Sequence, residues 1–272
     1  MCKPFSRRLT PDRALAALSA PFTRILAVPP RSIAHFAAGL LLLTVVVPSA
    51  RAFDHTYANW LTVLNQFVEQ GRVRYSELKT QPQLLEQFVA ECGRVEYAEY
   101  ERWSRQERLA FVLNLYNAAV IKLLIDRWPL ESVKDLGFFT SAWNIEFIPL
   151  FGHTISLGNL QHDVLRPGFK DTRTHFALCS SAASGPALRG EPYLPERVDA
   201  QLDEQVREFM TQRPTCNRFE QGTLYLSPIF DWYEMDFGKR TGIITFARIY
   251  FPEASTESRL EFTPFDWSLN GK

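Results

Sequence analysis

The sequence predicts an α+β fold: a mostly helical single domain with an apolar central helix and short antiparallel strands. Three observations predict it. The run 109–124 is apolar on nearly all sides, which suits the middle of a core. Amphipathic segments with helical spacing surround it in the sequence. Short β-prone segments come in pairs around turn residues, so the strands read as hairpins.

Residues 1–52 read as a secretion signal rather than as part of that domain. Lys3, Arg7, Arg8, Arg13, Arg24 and Arg31 precede the uncharged stretch 37–47, and Ala50-Arg51-Ala52 offers small residues at a peptidase site. The apolar stretch is shorter than the roughly 20 residues a bilayer span takes, so no stable membrane span is expected after signal removal. The mature protein is expected to begin near Phe53, periplasmic or secreted. Ser6-Arg7-Arg8 has the look of a twin-arginine signal but lies far from the apolar core.

Without residues 1–52, the formal charge moves from zero to about −6, because the leader holds seven basic residues and one acid. A mildly acidic chain lacks the clustered Lys and Arg that phosphate binding needs, so nucleic acid is not an expected partner. The length of residues 53–272 suits one domain with a sizeable core. Cys92, Cys179 and Cys216 make an odd set for an oxidising compartment, compatible with one disulfide and a free thiol or with three thiols. No paired C-x-x-C spacing occurs, and neither a metal nor a cofactor is expected.

The elements follow in order. Residues 54–70 carry Trp60, Val63, Leu64, Phe67 and Val68 at helical spacing and stop at Gly71. Residues 73–75 are a short extended piece, and 82–91 a second amphipathic helix ending near Gly93. Ser104-Arg105-Gln106-Glu107 is a capping box, which opens the central helix; Pro129 closes it. That helix carries Asn114 and Asn117 one turn apart on one face. A buried amide without partners costs roughly 1–3 kcal/mol, so both must be bonded. They either tie neighbouring backbone or line a pocket and orient a catalytic group.

Residues 147–150 and 154–155 around Gly152 predict a hairpin, and Ser156 the cap of a helix over 159–166. Residues 171–179 alternate loosely and predict a strand. Residues 182–193, rich in Gly, Pro and Ser, are loop, and Pro195 opens a polar amphipathic helix to about Gln212. Gln221-Gly222 predicts a second hairpin turn. Short helices over 229–234 and 241–249 follow, and 259–269 is extended.

Residues able to do chemistry bunch at His162, Asp163, Arg166, Asp171, Arg173, His175, Cys179, Ser180, Ser181 and Ser184. Five segments in register carry a family resemblance: Phe111-Val-Leu-Asn-Leu-Tyr-Asn117; Ser156-Leu with Gln161-His-Asp-Val-Leu-Arg166; Asp171-Thr-Arg-Thr-His-Phe-Ala-Leu178; Leu226-Ser-Pro-Ile-Phe-Asp-Trp-Tyr233 with Asp236-Phe237; and Asp266-Trp-Ser-Leu-Asn270. From about Val73 onward the chain resembles DUF547, a family of unknown function. The resemblance implies a helical α+β domain, of a papain-like or transglutaminase-like kind, whose site gathers the asparagine helix, His162 and His175. It also implies a departure. Where the family has its two cysteines, this chain has Ser180 and Gly185, and Cys179 stands one position early.

Three arrangements are compatible with this set. Ser180 could attack with His162 or His175 as base and Asn117 or Asp163 orienting the imidazole. Cys179 could attack if the local backbone turns, with His175 lowering its pKa. In the third, these positions are structural and the domain binds an unidentified small molecule or peptide without turning it over. Arg166 and Arg173 could clamp a carboxylate or phosphate, or pair with Asp163 and Asp171 inside the fold; Asn114 is the other candidate binding residue. The set favours an exported binding module; the alternative is a hydrolase or acyl transferase using Ser180 or Cys179. His153 reads as exposed and idle, the aromatics of 229–233 and Trp267 as core, and Asp231 and Asp236 as capping or paired residues.

Overall fold

Three hairpins punctuate the chain, each closed by two residues of positive φ with glycine second. Gln70-Gly71 (50° and 74°), Phe151-Gly152 (52° and 76°) and Gln221-Gly222 (48° and 78°) share this turn. Positive φ at both centres matches the right-handed twist of the flanking strands, and glycine adopts it without a Cβ penalty. The computed structural model describes residues 52–137 and 142–272, and the secretion-signal expectation falls on residues outside that description.

Helix α1 (Ala58–Phe67) leads into strands β1 (Val68–Glu69) and β2 (Arg72–Val73), which pair antiparallel. Helices α2 (Tyr75–Thr80) and α3 (Gln83–Gly93) follow. The helical turn of α2 replaces the extended reading of residue 75: Tyr75 and Leu78, one turn apart, are both buried. Then comes α4 (Arg105–Asp126), the longest helix among the described residues. The Ser104–Glu107 capping box forms in both directions, at 3.1 and 2.7 Å.

By length and composition α4 could cross a bilayer, yet 89% of its most apolar window is buried inside the protein. It is therefore the hub of the core. Helices α2 and α3 pack on it, α1 packs on α3, and its buried side chains run from Leu109 to Ile125. A second cluster of Phe176, Phe209, Met210, Leu226, Phe230, Phe237 and Ile244 sits farther along the chain.

Strands β3 (Glu146–Leu150) and β4 (His153–Ser156) form the second hairpin. Ser156 then caps the next helical segment through Asn159 N–H at 3.1 Å. That segment widens into π-type winding over Leu160–Leu165 before closing as Arg166–Phe169. Residues 171–179, read as a strand, instead form a turn and the short helix Thr174–Ala177. Asp171 explains the difference. Its carboxylate accepts from Arg173 N–H at 3.0 Å, and its carbonyl accepts from Thr174 N–H and hydroxyl at 3.2 and 2.7 Å. These local bonds compete with a sheet ladder and win.

Helix α5 (Val198–Thr211) packs on Thr174–Ala177 and on α4. Strands β5 (Arg218–Glu220) and β6 (Thr223–Leu226) pair antiparallel, and after α6 (Lys239–Ala247) strand β7 (Arg259–Phe262) joins β6 in parallel. Beyond it the chain bridges to Ser132 and Ala182.

Candidate functional site

The two asparagines of α4 act on backbone. Asn114 donates to Tyr193 C=O at 2.8 Å and accepts from Tyr193 N–H at 2.9 Å. Asn117 donates to Ala177 C=O at 3.0 Å and accepts from Cys179 N–H at 2.9 Å. Each amide thus mimics a strand neighbour and fixes a segment that has no sheet partner. Asn117 touches no imidazole; it sets where Thr174–Ala177 ends and where Cys179 sits.

Cys179 is buried, and its Sγ accepts from Ser181 N–H at 3.4 Å and from the Asn270 amide at 3.6 Å. Burial pushes its thiol pKa up. Ser180 Oγ is buried too and has no hydrogen-bond partner among the described residues. Cys92 and Cys216 are also buried, and the three cysteines among the described residues are free thiols.

The histidines gather elsewhere, around Asp236. His175 Nε2 lies 2.8 Å from Asp236 Oδ2. Arg166 grips the same carboxylate in bidentate fashion, Nε to Oδ2 at 2.8 Å and Nη2 to Oδ1 at 2.7 Å. Its Nη1 lies 2.9 Å from His162 Nδ1. A guanidinium only donates, so His162 accepts there and carries its proton on Nε2. The His175 ring stacks on Tyr233 at 4.0 Å and 20°, and the Arg166 guanidinium stands 5.2 Å from the same ring centroid. Gln161 donates to Tyr233 Oη at 2.8 Å.

Burial grades this cluster from floor to rim. The His175 side chain is 2% exposed, Asp236 28% and Arg166 30%, while His162 is at the surface. Desolvation lowers the His175 pKa against the opposing pull of the Asp236 hydrogen bond. Asp236 is held well below the usual carboxylate range, first by the His175 hydrogen bond and then by Arg166. Desolvation and the Arg166 guanidinium lower the His162 pKa. His175 Nδ1 is buried without a hydrogen-bond partner among the described residues.

The remaining candidates lie apart from this cluster. Arg173 is engaged by Asp171, Asp199 and Asp203, at 2.7 to 2.8 Å. Arg166 pairs with Asp236 rather than Asp163, whose carboxylate accepts from Asn159 at 2.8 Å. His153 is exposed. Ile229 and Phe230 are core, but Trp232 is 37% exposed and stacks on Trp267 at 5.6 Å. An open cleft of about 520 Å³ lies between Gly71, Arg189, Glu191, Glu204 and Arg207. Its lining includes none of the candidate site residues, and its Arg189 is already paired with Glu191 and Glu204. The histidine cluster therefore outranks the cleft as a chemical site.

Sequence reasoning passed over Asp236, Tyr233 and Gln161 as site residues. The signal was faint: Asp236 stands 61 residues from His175, and three residues from Tyr233 on a turn that also carries core aromatics.

Residues 100–210 match the family described as "Protein of unknown function, DUF547". The chain is also similar to tyrosine 2,3-aminomutase of Myxococcus fulvus, 31% identical over 106 residues that make up 38% of this chain. The tyrosine 2,3-aminomutase of Myxococcus sp. (strain Mx-B0) gives the same figures. The chain spans 18% of the length of these curated relatives. No solved structure matches.

Proposed function

Residues 100–210 match the DUF547 family, and on that footing we propose an exported, non-catalytic binding module. Its recognition face is His162, Arg166 and Tyr233, seated on His175 and Asp236. One observation carries this reading: both imidazoles pair with Asp236 and Arg166, not with a nucleophile. Acyl transfer needs a base on the attacking atom, because a serine hydroxyl is inert until its proton is taken and a buried thiol stays protonated. The alternative, a hydrolase or acyl transferase using Ser180 or Cys179, requires a rearrangement that brings an imidazole to either residue.

The same geometry suggests what is bound. Arg166 spends three of its five N–H groups on Asp236 and His162. The other two, with the outward Nε2–H of His162, offer donors at a half-exposed rim. They suit the acceptor oxygens of a small molecule or peptide. The order of charge, apolar stretch and small residues in 1–52 supports export, and the charge of about −6 without that leader argues against nucleic acid. The aminomutase likeness spans too little of those proteins to bring their activity here.

The test has two arms. p-Nitrophenyl acetate is offered to the protein and to Ser180→Ala and Cys179→Ala; no turnover above buffer is expected from any of them. In parallel, the imidazole NMR signals are followed while acetate, phosphate and triglycine are added. The His162 signal should shift saturably with at least one of these, and the shift should vanish in Arg166→Gln. Turnover that depends on Ser180 or Cys179 would overturn the proposal.

A further inference from the structure

Within the turn over residues 180–186, positions 180 and 185 have the Cβ spacing of a cross-linked pair. We infer that Arg213 is the non-covalent clamp that does the holding there, at a place where a disulfide between positions 180 and 185 would do the same. Three independent features meet at this turn.

The first is spacing. A Cβ placed on Gly185 lies 3.7 Å from Ser180 Cβ. Disulfides have Cβ–Cβ distances of about 3.5–4.5 Å, with a mean near 3.8 Å. Gly185 is not in the left-handed region, so a side chain there meets no backbone strain. Its nearest neighbour is the Ser180 side-chain oxygen, so close that the position 180 side chain must turn to make room. It also meets Ala182 C=O at 3.2 Å, a contact that a shift of a few tenths of an ångström relieves.

The second is the state of Ser180. Its hydroxyl faces the Gly185 position, buried and without a hydrogen-bond partner among the described residues. A hydroxyl held that way is disfavoured, whereas sulfur loses little by the same burial.

The third is the clamp. Arg213 donates from Nη1 to Gly185 C=O and from Nη2 to Ala183 C=O. On its other side the turn is tied to the C-terminal segment: Ala183 N–H donates to Ser268 C=O at 2.7 Å, and Asp266 N–H to Ser184 Oγ at 2.9 Å. Within it, Gly185 N–H reaches Ala182 C=O at 2.9 Å. Arg213, two residues past the end of α5, thus ties that end of the helix to a turn that the C-terminal segment holds from the other side. Cys216 Sγ also reaches the turn, at Ser184 C=O 3.9 Å away. The turn leads into Ala187–Glu191, which lines one side of the open cleft.

Thermal unfolding of the chain tests this with Arg213→Met, with Ser180→Cys/Gly185→Cys, and with all three changes together. Oxidised glutathione is the oxidant: the two new thiols lose two electrons and two protons to it and form the S–S bond. Peptide mapping should find positions 180 and 185 linked. Arg213→Met should lower the melting temperature by roughly 5 °C. The oxidised cross-link should restore most of that loss in the triple variant while raising the otherwise wild-type protein less. Reduction with dithiothreitol should remove both effects. Failure of 180 and 185 to link, or equal gains with and without Arg213, overturns the inference. Unchanged melting in Arg213→Met overturns it as well.

Discussion

His175 Nε2 and Asp236 Oδ2 meet at 2.8 Å, and Arg166 shares that oxygen through Nε while holding Oδ1 through Nη2. The pair joins Thr174–Ala177 to the turn after Tyr233, segments that share no strand. Asp236→Ala would strand a buried imidazole and a half-buried guanidinium together. Losing one partner of a fully buried pair costs about 3–5 kcal/mol; partial exposure here reduces the expectation to about 2–3 kcal/mol. For a domain of this size that lowers the melting temperature by roughly 5–10 °C. A change below 2 °C, measured by calorimetry, would show that the pair contributes little.

The same cluster sets a pH dependence whose sign follows from its shifts. His175 and His162 are held below their ordinary value, so between their folded values and about 6.5 the unfolded chain binds protons that the folded one does not. Their stabilising contribution is complete above about pH 6.5 and is lost as pH falls through the folded values. Asp236 is depressed too, so its contribution is complete above about pH 3.9 and is lost below that. Urea midpoints from pH 8 to pH 4 should therefore decline from near pH 6.5. The decline should be shallower in His175→Gln. A flat profile from pH 8 to 5 would remove the buried neutral imidazole from the argument.

Asn117→Ala deletes two backbone bonds at once and leaves the Cys179 N–H and the Ala177 C=O buried and unpaired. At about 1–3 kcal/mol for each of the two unsatisfied groups, the melting temperature should fall by roughly 5–20 °C. Asn114→Ala should behave alike, since it strands the two backbone groups of Tyr193. An unchanged melting temperature at Asn117 would return that residue to the list of orienting groups.

These residues also mark how far the sequence could be read. The capping box, the all-round apolar run and the turns at Gly152 and Gly222 are local signals, and they foretell α4 and the two later hairpins because their causes lie within a few residues. At Gly71 the sequence predicts only a helix stop, where Val68–Glu69 in fact turns back on Arg72–Val73. The need of both asparagines for partners was legible as well, though not whose backbone they would meet. Residues 171–179 misled because loose alternation says nothing of Asp171, whose hydrogen bonds bend the chain into a turn. Asp236 was legible only as a paired acid. Its partners lie 61 and 70 residues away, and one sequence holds no record of such meetings.

The thiols provide the last prediction. Cys92, Cys179 and Cys216 are all buried, and burial raises the pKa of Cys92 and Cys179. The thiolate is the species that alkylates, and here both access and ionisation oppose it. For the protein spanning residues 53–272, brief treatment with iodoacetamide at pH 7 to 8 should leave the native intact mass unchanged, and urea should expose three sites together. Rapid single labelling at Cys179 in the folded protein would contradict both the burial and the raised pKa. It would point to an opening between Asn270 and Ser181, the groups that hold the sulfur, and would restore the thiol mechanism. Slow labelling that tracks global unfolding would leave the sulfur where the core puts it, as a packed side chain beside the Asn117 clamp.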